Sequence, residues 1–227
     1  HGRLRHLVAG HLSEKNNSPE LARHALESVS LPVNLETLHE GVFFGCGTLK
    51  EVRLPEALTS IGPGAFFGSG LERLRIPAGV TSVAGFAFGR CERLVRIEVA
   101  PGNETYASQD GVLYNADLTR IIRVPEGRRG EFTIPGSVTE IGPSGGDGWW
   151  GPSTGTFENC EHLTGIRIPE GVTTIGERAF KGCTGVREIA IPASVTSIST
   201  SAFDDCRELV RIEVAAENIT YTSVDGV

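Results

Sequence analysis

The chain has 227 residues and a formal net charge of −7 at neutral pH. This acidic balance argues against a nucleic-acid partner, because contacts to phosphates require a basic face. No apolar run approaches the length of a membrane-spanning helix, so no membrane span is expected. The chain begins at His1 rather than Met and shows no signal peptide, which indicates a processed terminus or a fragment boundary and leaves its destination open.

The first thirty residues do not follow the pattern of the rest of the chain. Ser18-Pro19-Glu20 before LARHALESV predicts a capped helix with proline in its first turn. We therefore expect residues 1–34 to form a partly helical N-terminal cap over the open end of a stack. His6, His11 and His24 have no recognised ligand spacing, so a metal site is not expected here.

A unit of about 23 residues repeats through the rest of the chain. Its clearest copy is VTTIGERAFKGCTGVREIAIPAS from Val172, and the next copy starts 23 residues later at Val195. A period of this size with an L-x-x-I-x-I core is typical of a leucine-rich-repeat solenoid. The sequence therefore predicts one β-rich solenoid over residues 35–227. The other copies start at Leu35, Leu58, Val80 and, interrupted, at Val138.

Each unit contains three predicted segments. L-x-x-I-x-I-P predicts one short parallel strand closed by proline, and V-T-x-I-G predicts an extended segment that bends at its glycine. The A-F-x-x-C-x-x-L segment spaces its apolar residues by three, which favours a short helical turn. One Phe per unit, and one Cys in every unit except that from Leu58, which carries Ser69, are expected to stack from coil to coil as core, and not as a cofactor or zinc site. These residues are Phe43, Phe66, Phe88, Phe157, Phe180 and Phe203, and Cys46, Cys91, Cys160, Cys183 and Cys206.

Residues 100–137 interrupt the repeat. Turn-forming residues there separate apolar runs, which predicts a β-meander with strands around Val112–Tyr114, Arg120–Val124 and Glu131–Ile134. We expect this insertion to continue the solenoid sheet and not to form a second domain. Its beginning recurs 115 residues later, and the chain stops at Val227 before that copy is complete, so we expect a fragment of a longer array.

The coil from Val138 carries a second insertion, at residues 143–156. The segment is rich in Gly and Ser, which predicts a loop, and it contains Trp149 and Trp150, the only tryptophans of the chain. Large aromatic side chains on a loop either fold back onto the flank of the solenoid or contact a partner, and both alternatives stay open. A glycan is one such partner, so Trp149 and Trp150 are candidate binding residues.

Motifs for catalysis and cofactor binding are weak or absent. The segment from Gly142 to Gly146 satisfies the G-x-S-x-G pattern of hydrolases, but it lacks the helix that must follow the nucleophile. No P-loop, Ca²⁺ loop, His-x-x-x-His or Cys-x-x-Cys occurs. We therefore expect no enzyme activity, no cofactor and no metal. Asn103 and Asn218 begin Asn-x-Thr sequons, for which we favour a turn over glycosylation.

The side chains that flank the inward residues of each strand are expected to point outward, toward the concave side of the solenoid. Arg53, Arg73, Arg75 and Arg96 form a local basic cluster there. One interpretation, which we favour, is a charge ladder that keeps the exposed sheet soluble. The other is a docking patch for an acidic protein or glycan, because a guanidinium group can donate two hydrogen bonds to one carboxylate. These four arginines are therefore candidate partner-binding residues.

The repeated motif IPxxVTxIGxxAFxxCxxLxxI, interleaved with Y-x-S-x-DGVLYN and G-x-F-x-IP, resembles the BspA-like leucine-rich-repeat proteins. The resemblance covers Leu35 to Val227 and implies more strand and less helix than other leucine-rich repeats contain. It also implies a bacterial or protist surface or secreted protein that adheres to host extracellular-matrix proteins or to other cells. The family has no shared ligand motif, so no binding residue is carried over. The alternative is an ancillary glycan- or partner-binding region of a larger secreted enzyme.

Overall fold

The computed structural model describes residues 27–144 and 154–223. Over these residues the chain forms nineteen short strands and no helix. This part of the chain therefore contains no helix that could cross a membrane. The strands are β1 (Ser28–Ser30), β2 (Thr37–Leu38), β3 (Glu51–Arg53), β4 (Ser60–Ile61), β5 (Arg73–Ile76), β6 (Ser82–Val83), β7 (Arg96–Val99), β8 (Tyr106–Gln109), β9 (Val112–Asn115), β10 (Ile121–Arg123), β11 (Gly130–Thr133), β12 (Glu140–Ile141), β13 (Pro143–Ser144), β14 (Thr154–Gly155), β15 (Leu163–Arg167), β16 (Thr174–Ile175), β17 (Glu188–Ile191), β18 (Ser197–Ile198) and β19 (Arg211–Val214).

The L-x-x-I-x-I segments form the first ladder of the solenoid. Their strands pair in parallel, with β1 beside β3, β5 beside β7, and β11 followed by β15, β17 and β19. In β5, Leu74 and Ile76 are buried while Arg73 and Arg75 are exposed. Successive side chains of a strand point to opposite sides, so one row builds the core and the other faces solvent. The predicted leucine-rich-repeat solenoid is confirmed.

The V-T-x-I segments form a second ladder of two-residue strands. β2, β4 and β6 pair in parallel, and β12, β16 and β18 do the same further along the chain. Each of these strands turns its apolar second residue inward, and Leu38, Ile61 and Ile141 are among the most completely buried residues. Both ladders therefore contribute to the same core.

The A-F-x-x-C segments form consecutive turns, so the predicted short helical turns are wrong. Left-handed backbone recurs in these segments, at Gly45 (φ 69°) in an early coil and at Asn159 (φ 61°) in a later one. Such a residue ends a right-handed helical turn. Alternate backbone donors bond to the next coil, while the donors between them bond three residues back, as Phe44 N–H does to Gly41 O at 2.9 Å. Phe43 N–H donates to Ala65 O at 2.7 Å, and Gly45 N–H donates to Phe67 O at the same distance.

The columns of phenylalanine and cysteine are confirmed as core. Ring centroids lie 5.4 Å apart between Phe43 and Phe66, and 5.2 Å apart between Phe157 and Phe180. Thiols bond to the phenylalanine carbonyls of the preceding coil, as when Cys91 Sγ donates to Phe66 O at 3.0 Å. All five cysteines are free, and four of them are buried, in keeping with a column of small core thiols.

Three antiparallel strands, β8 to β10, divide the stack into two halves. Asp110 and Gly111 join β8 to β9, and both have left-handed backbone, as a tight two-residue hairpin turn requires. Two strands of the inserted sheet, β9 and β10, are buried on both sides. Leu113 packs into the core of the half that precedes the meander, whereas Val112 and Tyr114 pack into the core of the half that follows. The meander is thus a wall between two hydrophobic cores.

The predicted extent of the meander is partly wrong. The strand expected at Glu131–Ile134 is β11, which pairs in parallel with β15 and so belongs to the solenoid ladder. The first strand of the meander, β8, has the sequence YASQ and no buried residue, so no apolar pattern in the sequence predicts it. The meander proper consists of β8, β9 and β10.

The helix predicted from Ser18 lies outside the described residues. Within the predicted cap, residues 28–30 form β1, which pairs in parallel with β3 and places Val29 beside Val52. Val29 and Leu31 join the hydrophobic core of the first half. The helical cap is therefore not supported, and coils of the solenoid begin before Leu35.

Candidate functional site: the strand face

The exposed row of the first ladder forms what we call the strand face. It consists of the outward side chains of β1, β3, β5 and β7 in the first half, and of β11, β15, β17 and β19 in the second. Register decides which of these side chains are neighbours: Arg73 lies beside Arg96, and Arg75 lies beside Glu98. Side chains opposite each other on paired strands are close enough to interact directly. The structure thus brings Arg53, Arg73, Arg75 and Arg96 onto one face.

Three of these four arginines are paired with glutamates. All the groups involved are exposed to solvent, so each pair contributes only about 0–1 kcal/mol to stability. Arg73 forms no ion pair with any residue that the structure describes. It is therefore the arginine of this face most readily available to a ligand. The pairs are Arg53–Glu51 at 3.4 Å, Arg75–Glu56 at 2.9 Å and Arg96–Glu98 at 3.4 Å.

Two shallow grooves run along the strand face. The groove of the first half has a volume of about 670 Å³, and four cationic and four anionic side chains line it. The groove of the second half measures about 580 Å³, with three side chains of each sign. Both grooves are therefore surfaces of mixed charge. The first groove is lined by Lys50, Arg53, Arg73 and Arg75, and by Glu51, Glu56, Glu72 and Glu98.

Trp149 and Trp150 lie outside the described residues, so their placement is not part of this site. The ends of their segment are described. Pro143 in β13 pairs with Gly155 in β14, which brings the two ends together. Thr154 Oγ1 donates to Gly85 O at 2.6 Å, so the segment rejoins the solenoid against the coil that precedes the meander.

The structure contains a buried ionic network between the two halves that the sequence analysis did not predict. Arg123 in β10 forms an ion pair with Glu126, and both side chains are almost completely buried. The Arg123 guanidinium also donates to Gly155 O at 3.0 Å and to Glu158 O at 3.3 Å. Glu126 accepts a further hydrogen bond from Arg90 N–H at 3.0 Å. The network therefore connects the coil before the meander with the coil after it.

The electrostatics of this network mark it as structural. Burial raises the pKa of Glu126 to about 7, although the Arg123 guanidinium acts in the opposite direction. Glu158 forms an ion pair with Arg178 and accepts a hydrogen bond from Gly155 N–H at 3.0 Å. Most polar atoms of these groups therefore bond to one another or to the backbone, whereas Glu126 Oε2 and Arg178 Nε are buried without a hydrogen-bond partner. Among the described residues, no group of three His, Cys, Asp or Glu side chains is placed to hold a metal ion.

The comparisons with known proteins agree on this architecture. A family model for the BspA type leucine rich repeat region matches in six copies, over residues 20–127 and 153–224, which is more than half of the chain. A leucine-rich repeat protein from Eubacterium ventriosum is 28% identical with a TM-score of 0.68, and the match covers 85% of this chain and 55% of that one. No curated protein matches the chain.

Two further solved structures are similar. The pneumococcal vaccine antigen PcpA is 25% identical with a TM-score of 0.67, over 86% of this chain and 52% of that one. A leucine rich cell surface protein from Faecalibacterium prausnitzii is 26% identical with a TM-score of 0.58, over 92% of this chain and 66% of that one. The present chain thus spans between about half and two thirds of the length of these three proteins.

Proposed function

Because the chain belongs to the BspA-type leucine-rich-repeat family, we propose that it is a binding module of a bacterial cell-surface or secreted protein, and that its strand face contacts a protein ligand. One similar structure is called a cell surface protein and another a vaccine antigen, which supports exposure at the bacterial surface. A solenoid face offers a large contact area without any reactive group. Host extracellular-matrix proteins and other cell-surface proteins are the ligands we propose.

The observation that carries this proposal is the exposed, charged and rigid strand face. Its side chains project from backbone that is hydrogen-bonded in a ladder, so little backbone conformational entropy is lost when a ligand binds. Parallel pairing also fixes the spacing of the charges. A partner with complementary charges would therefore meet a preformed surface.

The charge pattern narrows the class of ligand. Each groove carries equal numbers of cationic and anionic side chains, so it does not favour a polyanionic glycan. No aromatic side chain lines either of these grooves on the described part of the chain, and stacking on a sugar ring is therefore not favoured. A protein surface with charges of both signs is the better match.

The test compares two double variants that change net charge equally. Arg73→Glu with Arg75→Glu reverses two charges of the strand face, whereas Arg93→Glu with Arg207→Glu reverses two exposed arginines outside the strands. Each protein is immobilised and exposed to fractions of plasma and extracellular matrix, and the affinity for any captured protein is then measured at several salt concentrations. Immobilised polysaccharides form a parallel series.

We expect the strand-face variant to weaken binding about tenfold, which corresponds to the loss of one charge-assisted contact. Its binding should also depend less on salt than binding of the unaltered chain. The variant outside the strands should bind normally. Equal binding by both variants would show that the ligand contacts another surface. Binding to polysaccharide alone would indicate that the ligand is a glycan and not a protein.

A further inference from the structure

Two arginines of the strand face lie directly opposite each other. Arg73 in β5 and Arg96 in β7 are partners in the register of these parallel strands, and we call them the arginine pair. Both side chains are exposed and belong to the same outward row as Arg75 and Glu98. Like charges at directly opposite positions repel each other, so the arginine pair destabilises the ladder unless an anion lies between the two guanidinium groups.

The second half contains the same element without the like-charged partner. The sequence VRIEV around β7 recurs 115 residues later, so Arg211 in β19 is the equivalent of Arg96. Each of these two arginines is half-exposed and forms an ion pair with the glutamate two residues later on its own strand. Arg211, however, lies opposite Glu188 in register. The charge across the ladder is therefore what distinguishes the two places.

The carboxylates near the arginine pair do not balance its charge. No carboxylate among the described residues forms an ion pair with Arg73. Glu51 and Glu98, on the neighbouring strands, are each paired with an arginine of their own strand. Glu72 lines the groove without an ion pair, but it precedes β5 and does not belong to the outward row. Arg96 is not among the side chains that line the groove, so the even count of charges there leaves it out.

The meander keeps one flank of the arginine pair open. Gly111 in the hairpin turn takes the place of a further strand beside β7, where Ile97 N–H donates to Gly111 O at 2.8 Å. A Cβ atom at Gly111 would lie 3.0 Å from Arg96 Cγ, so the glycine backbone packs closely against the stem of this arginine. Asp110, beside the glycine, is paired with Arg128. The stem of Arg96 is thus held in place without a side chain covering it from this flank.

We propose that the arginine pair is a subsite for one carboxylate side chain, an aspartate or a glutamate, of a protein ligand on the strand face. A carboxylate between the two guanidinium groups accepts charge-assisted hydrogen bonds from both and removes their repulsion. At the equivalent place in the second half, Glu188 already supplies the negative charge opposite Arg211. The inference rests on the proposed function for the surface that binds, and it adds the chemical group that this surface recognises.

NMR of arginine side chains tests the subsite on the intact chain. The Nε–H signals of Arg73, Arg96 and Arg211 are followed while the end-capped peptide Gly-Ser-Glu-Ser-Gly is added. The peptide Gly-Ser-Gln-Ser-Gly is the uncharged comparison, and inorganic phosphate is the anion without a carboxylate. Arg73→Gln and Arg96→Gln each remove one guanidinium group, and Arg211→Gln is the matched control. All three positions are exposed, so the substitutions put folding at little risk.

We expect the glutamate peptide to shift the signals of Arg73 and Arg96 along one saturating curve and to leave that of Arg211 almost unchanged. Arg73→Gln and Arg96→Gln should each weaken peptide binding about tenfold, which corresponds to one charge-assisted contact, whereas Arg211→Gln should not weaken it. Equal responses to the glutamate and glutamine peptides, or equal responses of Arg96 and Arg211, would overturn the proposal. So would saturation by phosphate where the glutamate peptide does not bind.

The peptide titration needs no natural ligand, so its outcome is separate from that of the capture experiment. Peptide binding at the arginine pair, without capture of any plasma or matrix protein, would support the subsite and reject the proposed class of ligand. A titration without saturation, together with weaker capture by Arg73→Glu with Arg75→Glu, would reject the subsite and keep the strand face as the binding surface.

Discussion

Asn218 makes the same hydrogen bonds as Asn103, 115 residues earlier in the chain. Asn103 Nδ2 donates to Pro77 O at 3.0 Å and to Val80 O at 2.9 Å. Asn218 Nδ2 donates to Pro192 O and Val195 O at the same two distances. Each carboxamide oxygen in turn accepts two backbone N–H groups that follow it. The favoured turn interpretation of the two sequons therefore has a structural basis, since both side chains are already engaged.

Replacing either asparagine with aspartate should destabilise the fold. Asn218→Asp keeps the shape of the side chain but turns the donor into an acceptor that faces two carbonyl oxygens in a buried place. We expect the free energy of unfolding to fall by about 1–3 kcal/mol, measured by urea denaturation. Glu217→Gln, at the exposed neighbouring position, is the control and should change it little. Equal stability of both variants would mean that these hydrogen bonds contribute nothing.

A methyl group at Gly155 should separate two coils. A Cβ atom at this position would lie 1.7 Å from Arg178 O, which is backbone and cannot move aside on its own. We expect Gly155→Ala to lower the free energy of unfolding by about 1–3 kcal/mol. At Gly136 a Cβ atom would meet nothing within 4 Å, so Gly136→Ala should stay within about 0.5 kcal/mol of the unaltered chain. Thermal unfolding of both variants checks this, and similar melting temperatures would contradict it.

Glu126 should make stability depend on pH. Burial raises its pKa to about 7, so the folded chain holds a proton that the unfolded chain has lost between about pH 4.5 and 7. The contribution of this group to stability is complete below the lower value and is lost as the pH rises through the higher one, at about 1 kcal/mol per pH unit. The free energy of unfolding of the unaltered chain should therefore fall relative to that of Glu126→Gln as the pH rises from about 4.5 to 7.

The matched control for this series is Glu208→Gln, at the exposed ion pair with Arg187. It should change the free energy of unfolding by less than about 1 kcal/mol at every pH. Urea denaturation at intervals from pH 4.5 to pH 8 provides the comparison. A difference between the unaltered chain and Glu126→Gln that stays constant over this range would contradict the prediction.

The five free thiols should react in an order set by burial. Burial raises the pKa of Cys91 to about 11 and that of Cys160 to about 12, and it raises the pKa of Cys183 well above its ordinary value. Burial also raises the pKa of Cys206, but this side chain is only half-buried and is therefore more accessible to a reagent than the other three. Because the thiolate is the reactive form, iodoacetamide at pH 8 should label Cys206 first in the folded chain. Peptide mass spectrometry checks the order, and all five should react alike in denaturant.

The repeat and its core could be predicted from the sequence because a single local rule governs them. Isoleucine at every second position, as in Ile189 and Ile191, specifies a strand with one buried row, and the constant period specifies the stack. The turns at the A-F-x-x-C segments were harder to predict. A spacing of three suits a helical turn, but Gly45 and Gly182 adopt left-handed backbone, and their N–H groups bond to the next coil.

The parts that could not be predicted depend on contacts between distant residues. Arg123 stands in the otherwise apolar run IIRVP, which hints at a buried charge, but its contact to Gly155 crosses 32 positions. The ion pairs of the strand face present the same difficulty. Arg75 is partnered by Glu56 across 19 positions, and only the coil geometry places those two side chains together. The arginines that form a basic cluster in the sequence therefore lie on a surface where cationic and anionic side chains balance.

The two-sided wall formed by β9 and β10 restricts how the chain can vary in length. Adjacent residues Ile121 and Ile122 belong to different hydrophobic cores. A deletion of one residue here would send every later side chain of the strand into the opposite half. Ordinary coils tolerate such a change, since the unit from Leu58 is one residue shorter than the unit from Leu35. Natural and engineered length variation should accordingly concentrate in the coils and spare the wall.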